Sequence, residues 1–336
     1  MNKKILSDCI QQLFANSKGL LAMDESLGTC NKRFAAAGIP QTEEMRRRYR
    51  QLLITTKGLQ DSIGGVILFD ETIRQKTDDG TPFTKILQDA GIIIGIKVDK
   101  GTIGQPGFPN EKITEGLDGL RNRLQEYKTM GARFAKWRAV IRIGENTPTQ
   151  GSIEANIHAL ARYAALCQEA DIVPIVEPEV LMEGDHTIWQ CFETTERVLK
   201  NLIYQFYTQH IWLEGIIIKP NMVISGTGAA KKDTANDVAE FTVKCLLASI
   251  PPAVPAIAFL SGGQSPEDAT MHLDKMHELF KNKLPWILSF SFARAIQQPT
   301  LDCWKGDDKN IAAAQKLLLE HAETNKAARQ GNYIPK

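Results

Sequence analysis

The sequence predicts a closed (β/α)8 barrel of the TIM type, and three observations carry that reading. Eight short apolar runs recur along the 336 residues, helical patterns fill most of the gaps between them, and no linker or break in composition divides the chain. Apolar strands that alternate with helices build parallel βαβ units, because a parallel connection must cross back over the sheet. Eight such units in a chain of this size favour a sheet closed on itself. The rival is an open doubly wound sheet, which wants a Gly-rich phosphate turn after the first strand; "DESLGT" offers a single glycine there. The chain is therefore read as one barrel domain spanning 1–336, with an N-terminal helix and a C-terminal helical extension.

Each element has its own signal. In the N-terminal stretch Ile5, Cys9, Leu13 and Phe14 fall at helical spacing, interrupted by Asp8 and Gln11, which predicts a surface helix. It has neither the uninterrupted apolar core nor the small-residue cleavage site of a secretion signal. The expected strands are "LLAMDES" (20–26), "GGVILFD" (64–70), "GIIIGIKVD" (91–99), "ARFAKWRAV" (132–140), "DIVPIVEPE" (171–179), "EGIIIKP" (214–220), "PAIAFLSGG" (255–263) and "WILSFSFAR" (286–294). Short β-branched runs bounded by turn residues are what strands buried on both faces look like. Between them, Leu117, Leu120, Leu124 and Tyr127 predict a helix over 116–130. Ile153, Ile157, Leu160 and Ala164 predict another behind Ser152 as its N-cap. Further helices are expected over 188–209, 234–249 and 307–329.

Composition narrows the function. At 43% hydrophobic and 24% charged, the chain can bury a large core and lacks the signature of disorder. A formal net charge of +1 argues against electrostatic capture of nucleic acid or an anionic membrane. No apolar stretch reaches the roughly 18 residues of a membrane span. Cys9, Cys30, Cys167, Cys191, Cys245 and Cys303 lie far apart with no C-x-x-C, which reads as reduced, buried thiols in a cytoplasmic enzyme.

Polar residues cluster at the C-terminal ends of the expected strands, in pairs two apart: Lys97 and Asp99, Lys136 and Arg138, Glu177 and Glu179. Strand side chains alternate, so each pair shares one face and can point into the barrel mouth, while Val98, Trp137 and Pro178 face the outer helices. Asp24 and Lys219 join them. The plain alternative is that such charges are ordinary strand-end residues satisfied by water. Five strands carrying them to one converging mouth weigh against it, because active sites of this fold lie at that end. Lys97, Lys136, Arg138 and Lys219 balance Asp24, Asp99, Glu177 and Glu179 in formal charge. Lys219, which ends "GIIIK", stands in semi-apolar surroundings beside Lys136 and Arg138. Neighbouring cations disfavour an ammonium, so this lysine is expected to act as a nucleophilic amine. Attack on a ketone or aldehyde would give a Schiff base, an electron sink that lets an adjacent C–C bond break. Glu177, Glu179 and Asp24 are suited to the proton transfers.

A phosphate site is also expected. "FLSGGQSPED" ends a strand with Ser261 and the turn Gly262-Gly263, then opens a helix at Ser265-Pro266 with Asp268 three residues on. "SGG" alone is more often just a turn. At this place in a barrel, before a helix N-terminus, its backbone N–H groups can approach an anion. Ser289, Ser291 and Arg294 on "SFSFAR" are expected nearby.

"LLAMDES", "GIKVDKG", "FAKWR", "PIVEPE", "KPNMV" and "FLSGGQS" together resemble class I fructose-1,6-bisphosphate aldolase, in that family's order and over nearly the whole chain. The resemblance implies Lys219 as the residue that forms a Schiff base with the C2 ketone, with Lys136 beside it. It implies Arg138 as a phosphate-binding and ordering residue, Glu177 as the main general acid/base and Glu179 as its support. Asp24 would engage Lys219 and the C4 hydroxyl side of the cleavage. Lys97, Ser26, Thr29 and Arg33 would bind the far phosphate end; Ser261, Gly262, Ser291 and Arg294 the phosphate of the ketone half. The implied reaction is reversible cleavage of fructose 1,6-bisphosphate to dihydroxyacetone phosphate and glyceraldehyde 3-phosphate, in the cytoplasm, by a homotetramer, with no cofactor and no metal.

Three departures qualify it. Leu27 stands where threonine is usual, Ala293 where glycine is common, and Tyr333 does not match the terminal tyrosine that assists enamine proton exchange in longer animal members. Preference for another ketose phosphate, such as fructose 1-phosphate or sedoheptulose 1,7-bisphosphate, is therefore an alternative, as is a binding scaffold with secondary catalysis. A metal-dependent aldolase or isomerase would need His-rich ligand sets. His158, His210, His272, His277 and His321 lie off the expected strand ends, and only His186 lies near one.

Overall fold

A computed structural model describes residues 1–335. All eight expected strands form: β1 (Gly19–Met23), β2 (Ile63–Leu68), β3 (Ile93–Lys97), β4 (Ala132–Ile141), β5 (Val173–Val180), β6 (Ile217–Ile218), β7 (Ala256–Phe259) and β8 (Ile287–Phe292). Each lies parallel to the next in sequence, and β8 pairs with β1 to close the barrel, which rules out the open-sheet rival. Several strands stop short of their sequence runs because the chain leaves the ladder at the mouth, where the polar residues begin. β6 is the extreme case: Leu213–Gly215 form a single 3-10 turn, and Pro220, with no N–H to donate, follows Lys219. A hairpin of Thr102–Gly104 and Lys112–Thr114 is inserted after β3. Its three-residue strands are too short to show alternation in sequence.

The interior has two layers. Leu20, Ala22, Ile67, Phe134, Val173, Ile175, Ile217, Ala256 and Ala258 fill the barrel, while the larger apolar cluster packs between barrel and helices. Gly95 makes room for Phe134: a Cβ there would sit 2.1 Å from its ring.

The N-terminal helix, Lys3–Phe14, corrects the expectation of a surface helix. Leu6, Cys9, Ile10, Leu13 and Phe14 are buried and belong to the same cluster as the barrel interior, so the helix closes the N-terminal end of the barrel. The buried stripe runs through Leu6 and Ile10, whereas Ile5 is half-exposed. Contact is close enough that a Cβ at Gly64 would lie 2.0 Å from the Leu13 carbonyl oxygen.

The outer helices follow the sequence with small shifts. The helix expected over 116–130 covers Leu120–Thr129, and the next runs Gln150–Glu169. Thr149, not Ser152, is its N-cap, accepting from the Ser152 N–H at 3.2 Å; Ser152 is already inside the first turn. Ile188–Thr208 and Ala235–Ser249 each begin with a capping box, on Thr187 and Thr234. Pro266–Phe280 starts with Ser265 as its cap, as expected. Ile311–Ala328 closes the fold, and the following Arg329 donates to the carbonyls of Leu288 (3.0 Å), Phe14 (3.3 Å) and Lys18, tying the C-terminal helix to the barrel's closed end. No helix among the described residues is long and apolar enough to cross a membrane.

Candidate active site

Five strands deliver charged side chains to one end of the barrel. Asp24 follows β1, Lys97 ends β3, Lys136 and Arg138 lie on β4, Glu177 and Glu179 on β5, and Lys219 follows β6. Register sets Lys97 beside Lys136 and Arg138 beside Glu177. Alternation works as the sequence implied. Trp137, between the two β4 cations, is buried against Tyr163 of the outer helix, ring centroids 5.6 Å apart.

The centre is a chain of four buried charges. Lys219 Nζ lies 3.1 Å from Glu177 Oε1, Glu177 Oε2 lies 3.0 Å from Lys136 Nζ, and Lys136 Nζ lies 2.7 Å from Asp24 Oδ2. On Asp24, Glu177 and Lys136 burial opposes the charge, and pairing overcomes it. Asp24 and Glu177 are held below the usual carboxylate range because Lys136 and Lys219 outweigh their burial. Lys136 is held above the usual lysine range because Asp24 and Glu177 outweigh its own. Asp24 forms its ion pair with Lys136, and the Lys219 charge acts on it from further off. β1 and β6 are not neighbours in the barrel, and the Lys136 ammonium pairs with Asp24 on one side and Glu177 on the other.

Glu179 behaves differently. Burial raises its carboxyl above the usual range, the ion pair with Arg138 pulls it back, and the charge on Glu177 pushes it up again. The two carboxylates of "VEPE" are therefore shifted in opposite directions, Glu177 down and Glu179 up. Arg138 commits its Nε to Glu179 while 42% of its side chain stays exposed at the rim. Lys97 is bound to the Asp99 carboxylate and donates to the Asp99 carbonyl at 2.9 Å.

Two further groups flank this centre. Ser26 caps the Leu27–Ala36 helix, and its hydroxyl lies 3.1 Å from that of Thr29, so both stand at a helix N-terminus. Arg33, one turn on, is engaged by the half-buried Glu25, which also pairs with Arg50 at 3.1 Å. Gln297 takes a second bond from Arg33 at 3.3 Å and donates to the Ala22 carbonyl of β1. On the other side, Ser261, Gly262, Gly263 and Gln264 form a turn closed by the Gln264 N–H on the Ser261 carbonyl at 3.0 Å, with both glycines at positive φ (59° and 93°). Arg294 begins the Arg294–Trp304 helix with its side chain exposed, and its Nη2 lies so near Gly263 that a Cβ there would be 3.2 Å away.

Ser291 is buried inside the barrel with its hydroxyl unpartnered among the described residues. Ser289, expected at the same site, is not there: its hydroxyl donates to the Lys18 carbonyl at the closed end of β1. Two residues of the same strand share a face but not a depth. Glu25, Arg50, Gln264 and Gln297 were not singled out from the sequence. Their roles depend on contacts between distant segments, and only the position of Glu25 beside Asp24 hints at its place. His186 is buried in the loop after β5. Among the described residues no group of His, Cys, Asp and Glu side chains is placed to hold a metal ion.

The family profile described as fructose-bisphosphate aldolase class-I matches residues 5–336. A probable fructose-bisphosphate aldolase class 1 of Xanthomonas campestris is 54% identical over 334 residues, covering 99% of each chain. The muscle-type fructose-bisphosphate aldolase of Lethenteron camtschaticum is 48% identical, covering 99% of this chain and 92% of its own. The fructose-bisphosphate aldolase of Plasmodium falciparum, solved with TRAP and a small-molecule inhibitor, superposes with a TM-score of 0.97. It is 44% identical and covers 99% of this chain and 96% of its own. With family-wide coverage, a matching closed barrel and a buried lysine–carboxylate chain at its mouth, the chain belongs to the class I fructose-bisphosphate aldolase family.

Proposed function

We propose that Lys219 is the amine that attacks the C2 ketone of fructose 1,6-bisphosphate in its reversible cleavage to dihydroxyacetone phosphate and glyceraldehyde 3-phosphate, the lyase reaction of this family. The observation that carries the assignment is the buried chain Lys219–Glu177–Lys136–Asp24. Glu177 touches the Lys219 amine and is held ionised, so it can take the proton that the attacking amine must lose. Returned to the carbinolamine hydroxyl, that proton lets water leave and the imine form. The C3–C4 bond then breaks as its electron pair moves into the protonated imine. The C4 hydroxyl gives its proton to Asp24, whose charge Lys136 maintains, and the aldehyde departs. Lys136 stays cationic throughout and holds the two carboxylates in place. Glu179 with Arg138 supports Glu177; Asp24 returns its proton to solvent, a solvent proton adds to C3 of the enamine, and hydrolysis of the imine then frees the ketone half and restores the Lys219 amine.

The Leu27 helix start with Ser26, Thr29, Arg33 and Lys97 is assigned to the far phosphate, and Ser261, Gly262, Ser291 and Arg294 to the phosphate of the ketone half. A homotetrameric, cytoplasmic enzyme acting on a sugar phosphate completes the reading. Exposed Trp189, Tyr204 and Tyr207 on the Ile188–Thr208 helix support self-association. Borohydride reduction in the presence of dihydroxyacetone phosphate, followed by peptide mass mapping, tests the assignment. An adduct on Lys219 supports it; an adduct confined to Lys136 or Lys97 overturns it.

A further inference from the structure

We infer that Asn221 is a positioning residue that fixes the seam between the strand carrying Glu177 and Glu179 and the strand end carrying Lys219; the inference rests on Lys219 being the amine that forms the imine. The seam is weak in its backbone. β5 and β6 share only the register pairs Ile175–Ile217 and Val176–Ile218, and a last backbone bond runs from the Lys219 N–H to the Val176 carbonyl at 2.8 Å. A parallel ladder continues by N–H groups donated alternately from the two strands. Here the next donor due from β5 is Pro178, between Glu177 and Glu179, which has no N–H to give, while Pro220, directly after Lys219, faces the opposite neighbour, where its carbonyl is held by the Leu260 N–H. The ladder stops at the level of the reacting groups.

Asn221 takes over where it stops. Its side chain, 5% exposed, accepts the Val180 N–H on Oδ1 at 3.0 Å, one residue past Glu179. Its Nδ2 donates to the Thr195 hydroxyl of the Ile188–Thr208 helix at 3.2 Å and to the Met222 carbonyl at 3.1 Å. With the oxygen on a donor and both amide hydrogens on acceptors, the amide has one orientation; a flip would set its NH2 against the Val180 N–H. On the other side of the segment the Leu260 N–H holds the Pro220 carbonyl at 3.1 Å. Asn221 thus clamps β5, the Lys219 segment and an outer helix without touching substrate. Its effect passes through the Lys219–Glu177 separation of 3.1 Å. A misplacement of about 1 Å in such a pair costs on the order of a hundredfold in rate.

Asn221→Leu keeps the branched shape with slightly more bulk and removes every bond of the amide. Thr195→Val removes only the hydroxyl that orients it, on a residue outside the reacting groups, and decides the question if the first variant does not fold. The measurements are kcat and KM on fructose 1,6-bisphosphate, the rate of borohydride-trapped adduct formation with dihydroxyacetone phosphate, and Tm. In Asn221→Leu, kcat and the trapping rate should fall together by roughly ten- to a hundredfold with KM little changed; Thr195→Val should show a smaller loss of the same kind. A lowered Tm with kcat and trapping unchanged would make Asn221 a packing residue and overturn the inference. A raised KM with unchanged kcat would overturn it as well, placing the effect on phosphate binding. Trapping of wild-type enzyme on a lysine other than Lys219 would be a failure of the parent assignment and is read from the wild type alone.

Discussion

Glu177 Oε1 lies 3.1 Å from Lys219 Nζ, a contact between the side chain of one barrel strand and the end of the next. The same carboxylate reaches Lys136 with its other oxygen. One acceptor thus sits between a cation whose charge Asp24 and Glu177 maintain and the amine that has to lose a proton.

Lys219→Arg should abolish cleavage, because a guanidinium cannot become a neutral nucleophile. The side chain is 4% exposed and meets Glu177, so the arginine can still pair and the fold should persist. Steady-state cleavage with a Tm as control checks it; residual turnover above a thousandth of wild type would point to another amine.

Glu177→Gln should slow imine formation and release by about 10²–10⁴-fold, the usual contribution of a positioned proton-transfer group. KM should change little, since the phosphate-binding groups lie elsewhere. Single-turnover trapping measures the step, and unchanged turnover with weaker binding would make Glu177 a binding group instead.

Arg294→Ala should raise KM mainly for ketoses with a C1 phosphate. The exposed guanidinium beside Gly263 has no other assignment among the described contacts at the mouth. An equal effect on non-phosphorylated ketoses would remove the phosphate from this place.

Stability should fall as pH drops from about 6.5 to about 4. Burial, and then the Arg329 cation, lowers the His277 imidazole to about 4 from an ordinary 6.5. Its folded value lies below its unfolded value, so in that interval the unfolded chain binds the extra proton. The stabilisation is present above about 6.5 and is lost on the order of 2–3 kcal/mol by pH 4. Urea unfolding at pH 7 and pH 5 should show the loss, and His277→Gln should flatten it.

Treatment with EDTA should leave the cleavage rate unchanged. A Schiff base supplies the electron sink that a bound metal would otherwise provide, so loss of activity restored by a divalent cation would contradict the lysine assignment.

What the sequence disclosed was mostly local periodicity. Lys136 and Arg138, or Glu177 and Glu179, are two apart on strands whose intervening residues are large or apolar, so their common face could be read without knowing the partner strands. Phase on a face does not give depth, which is why Ser289 was placed with Ser291 although it bonds at the closed end. Nor does it give pairing between remote segments. The Glu25–Arg33–Arg50 ion pairs and the Gln297 contacts join residues far apart in the chain, and no spacing rule connects them. The N-terminal helix shows the same limit. Its stripe was visible, but an apolar stripe does not say whether it covers the outside of a barrel or its end.

That helix has a consequence for traffic. With the barrel interior filled by side chains and Lys3–Phe14 packed over its closed end, substrate, water and both products share the open mouth. Departure must then be sequential. The aldehyde half, released when the C–C bond breaks, has to clear the passage first, while the ketone half is still tethered through its nitrogen link. The tethered half follows once its enamine has been protonated and its nitrogen link hydrolysed. The closed end thereby turns a covalent attachment into a timetable for exit.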